Sequence, residues 1–78
     1  MYLERKKREF LELKQGTRSV AEYEREFIHL SKYAREIVPT EAEMCIRFEN
    51  GLNDDILMAI GGQELREFMV LTERAQRI

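Results

Sequence analysis

The clearest pattern in the chain is a stripe of apolar residues that begins at Val20. Apolar side chains recur there at steps of three or four positions, at Val20, Tyr23, Phe27, Leu30, Ala34 and Ile37. This spacing places them along one side of an α-helix. Ser19 precedes the stripe and Glu22 follows three residues later, which is the arrangement of a capping box. The pattern therefore predicts a helix from Val20 to about Glu36.

The segment before this helix predicts another helix and then a turn. Residues 2–15 contain neither Gly nor Pro, and Gly16 can adopt the positive φ that often ends a helix. The apolar residues of this first helix are concentrated near its end, at Phe10, Leu11 and Leu13. We therefore expect residues 1–15 to be a connecting helix whose first half is held weakly by the rest of the domain.

Two further helices are predicted after Pro39. Thr40 and Glu43 form a second capping box for a helix from Glu41 to Asn50, and Gly51 followed by Leu52 fits a Schellman stop. Asn53 is then placed to cap a short fourth helix, which ends at Gly61 and Gly62.

The last predicted helix runs from about Glu64 to the C-terminus. Its buried side is expected to consist of Leu65, Phe68, Met69, Thr72, Ala75 and Ile78. No segment alternates between apolar and polar residues as a half-buried strand does. The sequence therefore predicts an all-α fold, a small bundle of about five helices in one domain of residues 1–78, with its helical core in residues 16–78.

Composition restricts the function more than it identifies it. The 78 residues are 44% hydrophobic and 36% charged, with a formal net charge of −2. This balance lacks the basic excess typical of nucleic-acid-binding domains. The basic run from Arg5 to Arg8 is flanked by Glu4 and Glu9. We interpret the run as a solvated helix face and expect no direct nucleic-acid contact; an RNA-binding face is the alternative.

The candidate chemical groups are isolated from one another. His29 is the only histidine and has no second ligand at a metal-binding spacing. Cys45 is the only cysteine, falls on the core side of its helix and indicates a reducing compartment. Asp54 and Asp55 suit the positive end of a helix. We therefore expect no catalytic residue, metal site or cofactor, and no membrane span, since no apolar run reaches about 18 residues.

Several apolar residues lie outside the predicted core and are candidates for an interface. Ile46 points about 150° away from the core side of the third helix, and Ala42 and Glu49 on the same helix are grouped with it. The other candidates are Tyr2 and Leu3 in the first helix, and Val70 and Leu71 at the back of the last one. An isolated exposed Ile is common in monomeric proteins, so simple exposure is the alternative.

The ordered set of these elements resembles the Gag capsid region of gypsy-type long-terminal-repeat retrotransposons. The matching elements are Phe10-Leu11-x-Leu13-Lys14-Gln15-Gly16, Ser19-Val20-Ala21-Glu22-Tyr23, Phe27, Leu30, Ser31, Tyr33-Ala34, Pro39-Thr40-Glu41, Arg47-Phe48-x-x-Gly51-Leu52 and the final helix. The resemblance covers nearly the whole chain. It implies the C-terminal lobe of a capsid protein, a structural domain that helps to assemble a particle shell in the cytoplasm.

The same resemblance implies partners and a mode of association. The implied partners are a second copy in a homodimer, the capsid lattice, and the N-terminal lobe of the parent Gag protein. Retroviral capsids contain a segment called the major homology region, and the helix after it makes the two-fold contact. The corresponding helix here is the one that contains Ala42, Ile46 and Glu49. The first helix would connect to the N-terminal lobe. The alternative is a domesticated Gag-derived adaptor that binds partner peptides.

The segment from Gln15 to Leu30 is similar to that major homology region. The similarity implies a structural role for Gln15, Gly16, Ser19, Glu22, Tyr23, Phe27 and Leu30. The sequence also departs from the retroviral pattern, because Ser19 and Phe27 stand where the retroviral acid and arginine would be. Glu22 and Arg25 are the nearest substitutes.

Overall fold

The computed structural model describes residues 2–61 and 65–78, which contain five α-helices and no strand. The helices are α1 (Tyr2–Glu12), α2 (Val20–Ser31), α3 (Glu41–Gly51), α4 (Asp54–Ile60) and α5 (Phe68–Gln76). The predicted all-α fold is therefore confirmed. None of the helices in these residues has the length and apolar character needed to cross a bilayer.

The centre of the core is the ring of Phe27 on α2. Its centroid lies 5.1 Å from the ring of Phe10, 5.2 Å from that of Phe48 and 5.5 Å from that of Phe68. These separations are typical of attractive aromatic pairs. Because the three partner rings come from α1, α3 and α5, one side chain of α2 holds three helices together.

Two helices end earlier than predicted. α1 stops at Glu12 and not at residue 15, and α2 stops at Ser31 and not near Glu36. Residues 32–38 continue as turns, in which the carbonyl of Ala34 accepts the N–H groups of Ile37 and Val38. Ala34 is fully buried. The apolar stripe thus reaches beyond the helix, because its spacing records which side chains are buried and not where the helical hydrogen bonds stop.

The predicted Schellman stop at Gly51 is wrong. Positive φ angles occur in the described residues at Gly16 (58°) and Gly61 (77°), whereas Gly51 is the last residue of α3. A Cβ atom at Gly51 would lie 2.0 Å from the hydroxyl oxygen of Tyr23. Glycine is needed at this position because the Tyr23 ring of α2 packs directly against it, and not because the backbone is left-handed.

The rotation of α5 about its axis also differs from the prediction. Leu71, expected at the exposed back, is 0% exposed, whereas Met69, expected in the core, is 71% exposed. The buried side is formed by Phe68, Leu71, Thr72 and Ala75. Glu64, the predicted start of this helix, and Gly62, half of the predicted stop of α4, lie outside the described residues.

The start of α5 is fixed by a side chain from another helix. Glu67 occupies the N-cap position of α5 but makes no side-chain capping bond. Instead, Oε2 of Glu41 on α3 accepts the N–H of Phe68 at 2.8 Å. This bond satisfies one of the N–H groups that every helix start leaves open, and it sets where Phe68 enters the core.

Candidate interface

The side chain of Gln15 connects α1, α2 and the end of α3. Gln15 is only 3% exposed. Its Oε1 atom accepts the N–H of Asn53 at 3.1 Å, its Nε2 atom donates to the carbonyl of Arg18 at 3.0 Å, and its backbone N–H donates to the carbonyl of Gly51 at 2.8 Å. A buried amide with these partners is satisfied on both its donor and acceptor sides. The turn therefore fixes α3 relative to the start of α2.

Two residues of this network were not foreseen from the sequence. Asn53 was predicted to cap α4, but its side chain donates to the carbonyl of Gly16 at 2.9 Å and makes no capping bond. Arg18 donates from Nη1 to the carbonyl of Lys14 at 2.8 Å. The arginine whose guanidinium binds the turn is thus Arg18, and not Arg25, the substitute that the resemblance to the major homology region suggested. The apolar spacing of the sequence gives no signal for Asn53 or Arg18, because both side chains bind carbonyl groups of a loop.

The capping box at the start of α2 is present in full. Ser19 Oγ accepts the N–H of Glu22 at 3.1 Å, and the Glu22 carboxylate accepts the N–H of Ser19 at 3.0 Å. The bond from the Ser19 backbone lowers the pKa of Glu22. At α3, Thr40 Oγ1 accepts the N–H of Glu43 at 3.2 Å. Both predicted helix starts therefore lie where the sequence placed them.

The hydroxyl of Tyr23 holds the last turn of α3. It donates to the carbonyl of Phe48 at 3.0 Å, and the two rings stack with centroids 4.7 Å apart. In a regular helix the N–H of Leu52 would bind that carbonyl, but here it binds the carbonyl of Glu49 instead. Tyr23 thus satisfies a carbonyl that the helix end leaves open. Burial raises the pKa of Tyr23, so the donor stays protonated.

The candidate residues of α3 lie together on its outer side, which we call the α3 face: Ala42, Ile46 and Glu49. Their spacing of four and three positions places them on one side of the helix. Ile46 is 39% exposed, and Ala42 and Glu49 are half-buried. Burial raises the pKa of the Glu49 carboxyl. Phe48, which is 0% exposed, lies on the opposite side of α3, and Cys45, also 0% exposed, lies between the two sides.

The other two candidates form a separate surface at the start of α1. Tyr2 is 57% exposed and Leu3 is 59% exposed. The first half of α1 is nevertheless docked more firmly than predicted, since the ring of Tyr2 packs edge-on against Tyr33 at 5.9 Å and Lys7 forms an ion pair with Glu36. Tyr2 therefore packs against the segment after α2, and Leu3 is the next residue of the same helix, α1, and not of α3.

The basic run of α1 is partly neutralised within the domain. Lys6 lies 3.3 Å from the Glu9 carboxylate and 5.5 Å from the centre of the Tyr2 ring, and Lys7 pairs with Glu36. The bond from Glu9 raises the pKa of Lys6. Two of the four cations of the run are thus paired to carboxylates of the domain.

The histidine and the cysteine lie apart and have different surroundings. His29 is exposed, with its ring 5.9 Å from that of Tyr33. Cys45 is 0% exposed, and burial raises the pKa of its thiol, with Glu41 and Glu49 acting in the same direction. A buried, protonated thiol is a poor nucleophile. Across residues 2–61 and 65–78, no cluster of three or more His, Cys, Asp or Glu side chains is arranged to hold a metal ion.

Comparison with known families identifies the kind of domain to which this arrangement corresponds. The family described as "PEG10/RTL1, C-terminal capsid-like domain" matches residues 6–74. The matched range extends from the first half of α1 through the Gln15–Gly16 turn and α3 to most of α5. No curated protein and no solved structure matches the chain.

Proposed function

The chain belongs to the PEG10/RTL1 C-terminal capsid-like family, a Gag-derived capsid domain of gypsy-type retrotransposon origin, and from this premise we propose that it acts by self-association. In this proposal, copies of the domain join their parent proteins into a particle shell in the cytoplasm. The family is one of structural domains and not of catalysts. The contact surface, and not a reactive group, is then the functional part of the molecule.

The observation that carries the proposal is the α3 face on a firmly held helix. Tyr23 and Gln15 bind carbonyls in the last turn of α3, and Glu41 in its first turn binds α5. A helix that is already ordered loses little conformational entropy when it binds. Around a two-fold axis, the same patch meets itself. Ile46 supplies the apolar centre of such a contact, and the small side chain of Ala42 permits close approach of the two helices.

The start of α1 is assigned a different partner. Tyr2 and Leu3 are exposed apolar side chains on the helix that precedes the rest of the domain. We propose that they face the N-terminal capsid lobe of the parent Gag protein. This assignment follows from the direction of the chain and from the separation of these two residues from the α3 face.

The groove between α1 and α2 does not favour the peptide-binding adaptor. The groove between α1 and α2 has a volume of about 440 Å³, but it is lined by Leu13, Leu30 and five charged residues, Glu9, Glu12, Lys14, Arg18 and Glu26. Peptide grooves that hold helices depend on apolar anchor positions. A groove with this lining offers few of them.

Analytical ultracentrifugation of the 78-residue chain tests the proposal. We expect the wild type to show an average mass that rises with concentration in the micromolar to millimolar range. Ile46→Asp should weaken the association at least about tenfold, because it places two carboxylates where two apolar side chains would meet. Ile28→Asp is the matched control, since Ile28 on α2 is 38% exposed against 39% for Ile46.

Two results would contradict the assignment of the α3 face. One is a wild-type chain that stays monomeric at millimolar concentration. The other is an equal effect of Ile28→Asp and Ile46→Asp, which would indicate a general response to added charge. Circular dichroism of both variants verifies that the helices are intact.

A further inference from the structure

A small cleft between α1, α2 and the end of α3 belongs neither to the α3 face nor to the surface at the start of α1. Its volume is about 180 Å³, and its floor consists of the buried rings of Phe10, Tyr23 and Phe27. Leu11, which is 50% exposed, lies at its rim. An apolar cavity of about 150 Å³ is large enough for benzene. The cleft therefore has room for one apolar side chain and not for a helix.

The rim of the cleft also carries two cations. The guanidinium of Arg47 lies 5.9 Å from the centre of the Phe10 ring, and Lys14 is exposed beside it. Within the described part of the chain, no carboxylate lies within 4 Å of either group. The cleft thus combines an aromatic floor with positive charge that is not paired to a carboxylate in residues 2–61 and 65–78. A side chain flanked by acids would complement both features.

The chain itself presents such a side chain on α4. Met58 is 80% exposed, more than any other large apolar side chain in residues 2–61 and 65–78. Asp54 and Asp55 precede it by four and three positions, so all three lie on the same side of α4. Both aspartates are exposed, and neither is in an ion pair with a described residue. Because Met58 is open to solvent, it does not fill the cleft of its own copy.

We propose that the cleft receives Met58 from α4 of a second copy of this chain, with Asp54 and Asp55 of that copy facing Arg47 and Lys14. A thioether packs well against aromatic rings, and the guanidinium is suited to a carboxylate. The proposal rests on the proposed function of self-association, but it uses surfaces other than the α3 face.

This contact differs in symmetry from the contact through the α3 face. We assign it as a heterologous contact, in which the cleft of one copy is joined to the projection of the next, so that each added copy leaves a free cleft and a free projection. A two-fold contact alone stops at a dimer. The two contacts together would extend an assembly beyond the dimer, as a shell requires.

The experiment uses ultracentrifugation of the chain in the Ile46→Asp background, where the two-fold contact is removed. Met58→Lys removes the projection and opposes the cations of the cleft, and Leu11→Glu adds an acid at the cleft rim. Each change should weaken the remaining association at least about tenfold. An equimolar mixture of the two variants should associate again as pairs, because one retains the cleft and the other retains Met58.

The control is Met69→Lys, which changes a methionine that is 71% exposed on α5 and should leave association unchanged. In the Ile46→Asp background, the amide chemical shifts of Lys14, Arg47 and Leu11 should move as the chain is concentrated, and they should stay fixed when Met58→Lys is added.

The proposal is overturned if the mixture associates no better than its components, or if Met69→Lys acts like Met58→Lys. Undiminished association of Met58→Lys in the Ile46→Asp background would also overturn it, and so would cleft signals that stay fixed as the chain with an intact Met58 is concentrated. A separate result would contradict only the proposed two-fold contact through the α3 face. In that result Ile46→Asp has no effect, while Met58→Lys abolishes association of the otherwise wild-type chain. If instead Ile46→Asp abolishes association and Met58→Lys has no effect, the cleft contact is contradicted and the contact through the α3 face is retained.

Discussion

The packing of the Tyr23 ring against Gly51 leads to a quantitative prediction for Gly51→Ala. The new Cβ would lie 2.0 Å from the hydroxyl oxygen and 2.8 Å from the Cζ atom of Tyr23, and 3.2 Å from the carbonyl oxygen of Leu13. The first two distances are far below van der Waals contact, so the ring or the helix must move. Tyr23 is 1% exposed, and any turn of its ring away from Gly51 would break the bond between its hydroxyl and the Phe48 carbonyl.

The magnitude follows from opposing contributions. Alanine is favoured over glycine in a helix by up to about 1 kcal/mol. Overpacking a close-packed core costs about 1–3 kcal/mol. Displacement of the Tyr23 hydroxyl leaves the Phe48 carbonyl without its donor, which adds about 1–3 kcal/mol. We expect a net loss of about 2–4 kcal/mol, a large part of the roughly 3–5 kcal/mol available to a domain of this size.

Urea denaturation followed by circular dichroism at 222 nm measures this loss. A stabilising osmolyte such as trimethylamine N-oxide strengthens the folded state and keeps the baseline of the variant measurable. The matched control is Gly61→Ala. Gly61 has a φ of 77°, and the nearest atom to its Cβ would be the carbonyl oxygen of Ala59 at 3.8 Å. Its cost should be only the left-handed strain of about 1–2 kcal/mol.

A double-mutant cycle with Tyr23→Phe tests the cause. Tyr23→Phe removes the atom that the new Cβ meets first, so its combination with Gly51→Ala should cost at least about 1 kcal/mol less than the sum of the two changes. The combination with Gly61→Ala should be additive within about 0.5 kcal/mol. A neutral Gly51→Ala, or two additive cycles, would refute the steric argument and leave helix propensity as the dominant effect.

Three further changes test other parts of the structure. Ser19→Ala should lower the free energy of unfolding by about 1 kcal/mol, because the N–H of Glu22 loses its acceptor; Ser19→Asp, which retains an acceptor, should restore most of the loss in the same urea assay. Glu41→Ala should cost about 1 kcal/mol by removing the acceptor of the Phe68 N–H, whereas Glu41→Gln retains a carbonyl oxygen and should cost less; equal effects would exclude the bond to α5 as the cause. Burial raises the pKa of the Glu49 carboxyl in the folded state, so the folded chain binds the carboxyl proton more tightly than the unfolded chain does. The free energy of unfolding therefore falls as the pH rises from the pKa of the unfolded chain through the pKa of the folded chain. Glu49→Gln should therefore stabilise the monomer at pH 7 by no more than about 0.5 kcal/mol and have no effect near pH 3. Thermal unfolding at low protein concentration measures both values. A stabilisation of the same size at pH 3 would show that the charge of the Glu49 carboxylate is not the cause.

The local elements of the fold were predictable from the sequence because their signals are local. The Ser19–Glu22 capping box uses bonds that span three residues, so its spacing is visible in one dimension. The stripe from Val20 to Leu30 marks the buried side of α2, and Val20, Tyr23, Phe27 and Leu30 are all buried. The order of the motifs identified the capsid-like family in the same way, and the match to residues 6–74 bears it out.

Predictions failed where the deciding contact came from another helix. Gly51 was interpreted as a left-handed stop because glycine before an apolar residue is typical of one, yet Tyr23 of α2 is what requires it. Leu71 and Met69 exchanged their expected places because Phe68, held by Glu41, sets the rotation of α5. Short helices with several apolar residues have more than one plausible buried side, and only packing selects one.

The candidate interface shows the same division between sequence and structure. The sequence by itself determined that Ile46 points away from Cys45 and Phe48, because this is a property of helical spacing. It also determined the helix starts and the family. Only the tertiary structure decided that α3 is held at both ends, that Arg18 and Asn53 complete the turn around Gln15, and that a cleft with two cations lies beside it. These features depend on groups up to 38 residues apart, which approach each other only when burial of the four phenylalanine rings brings the helices together.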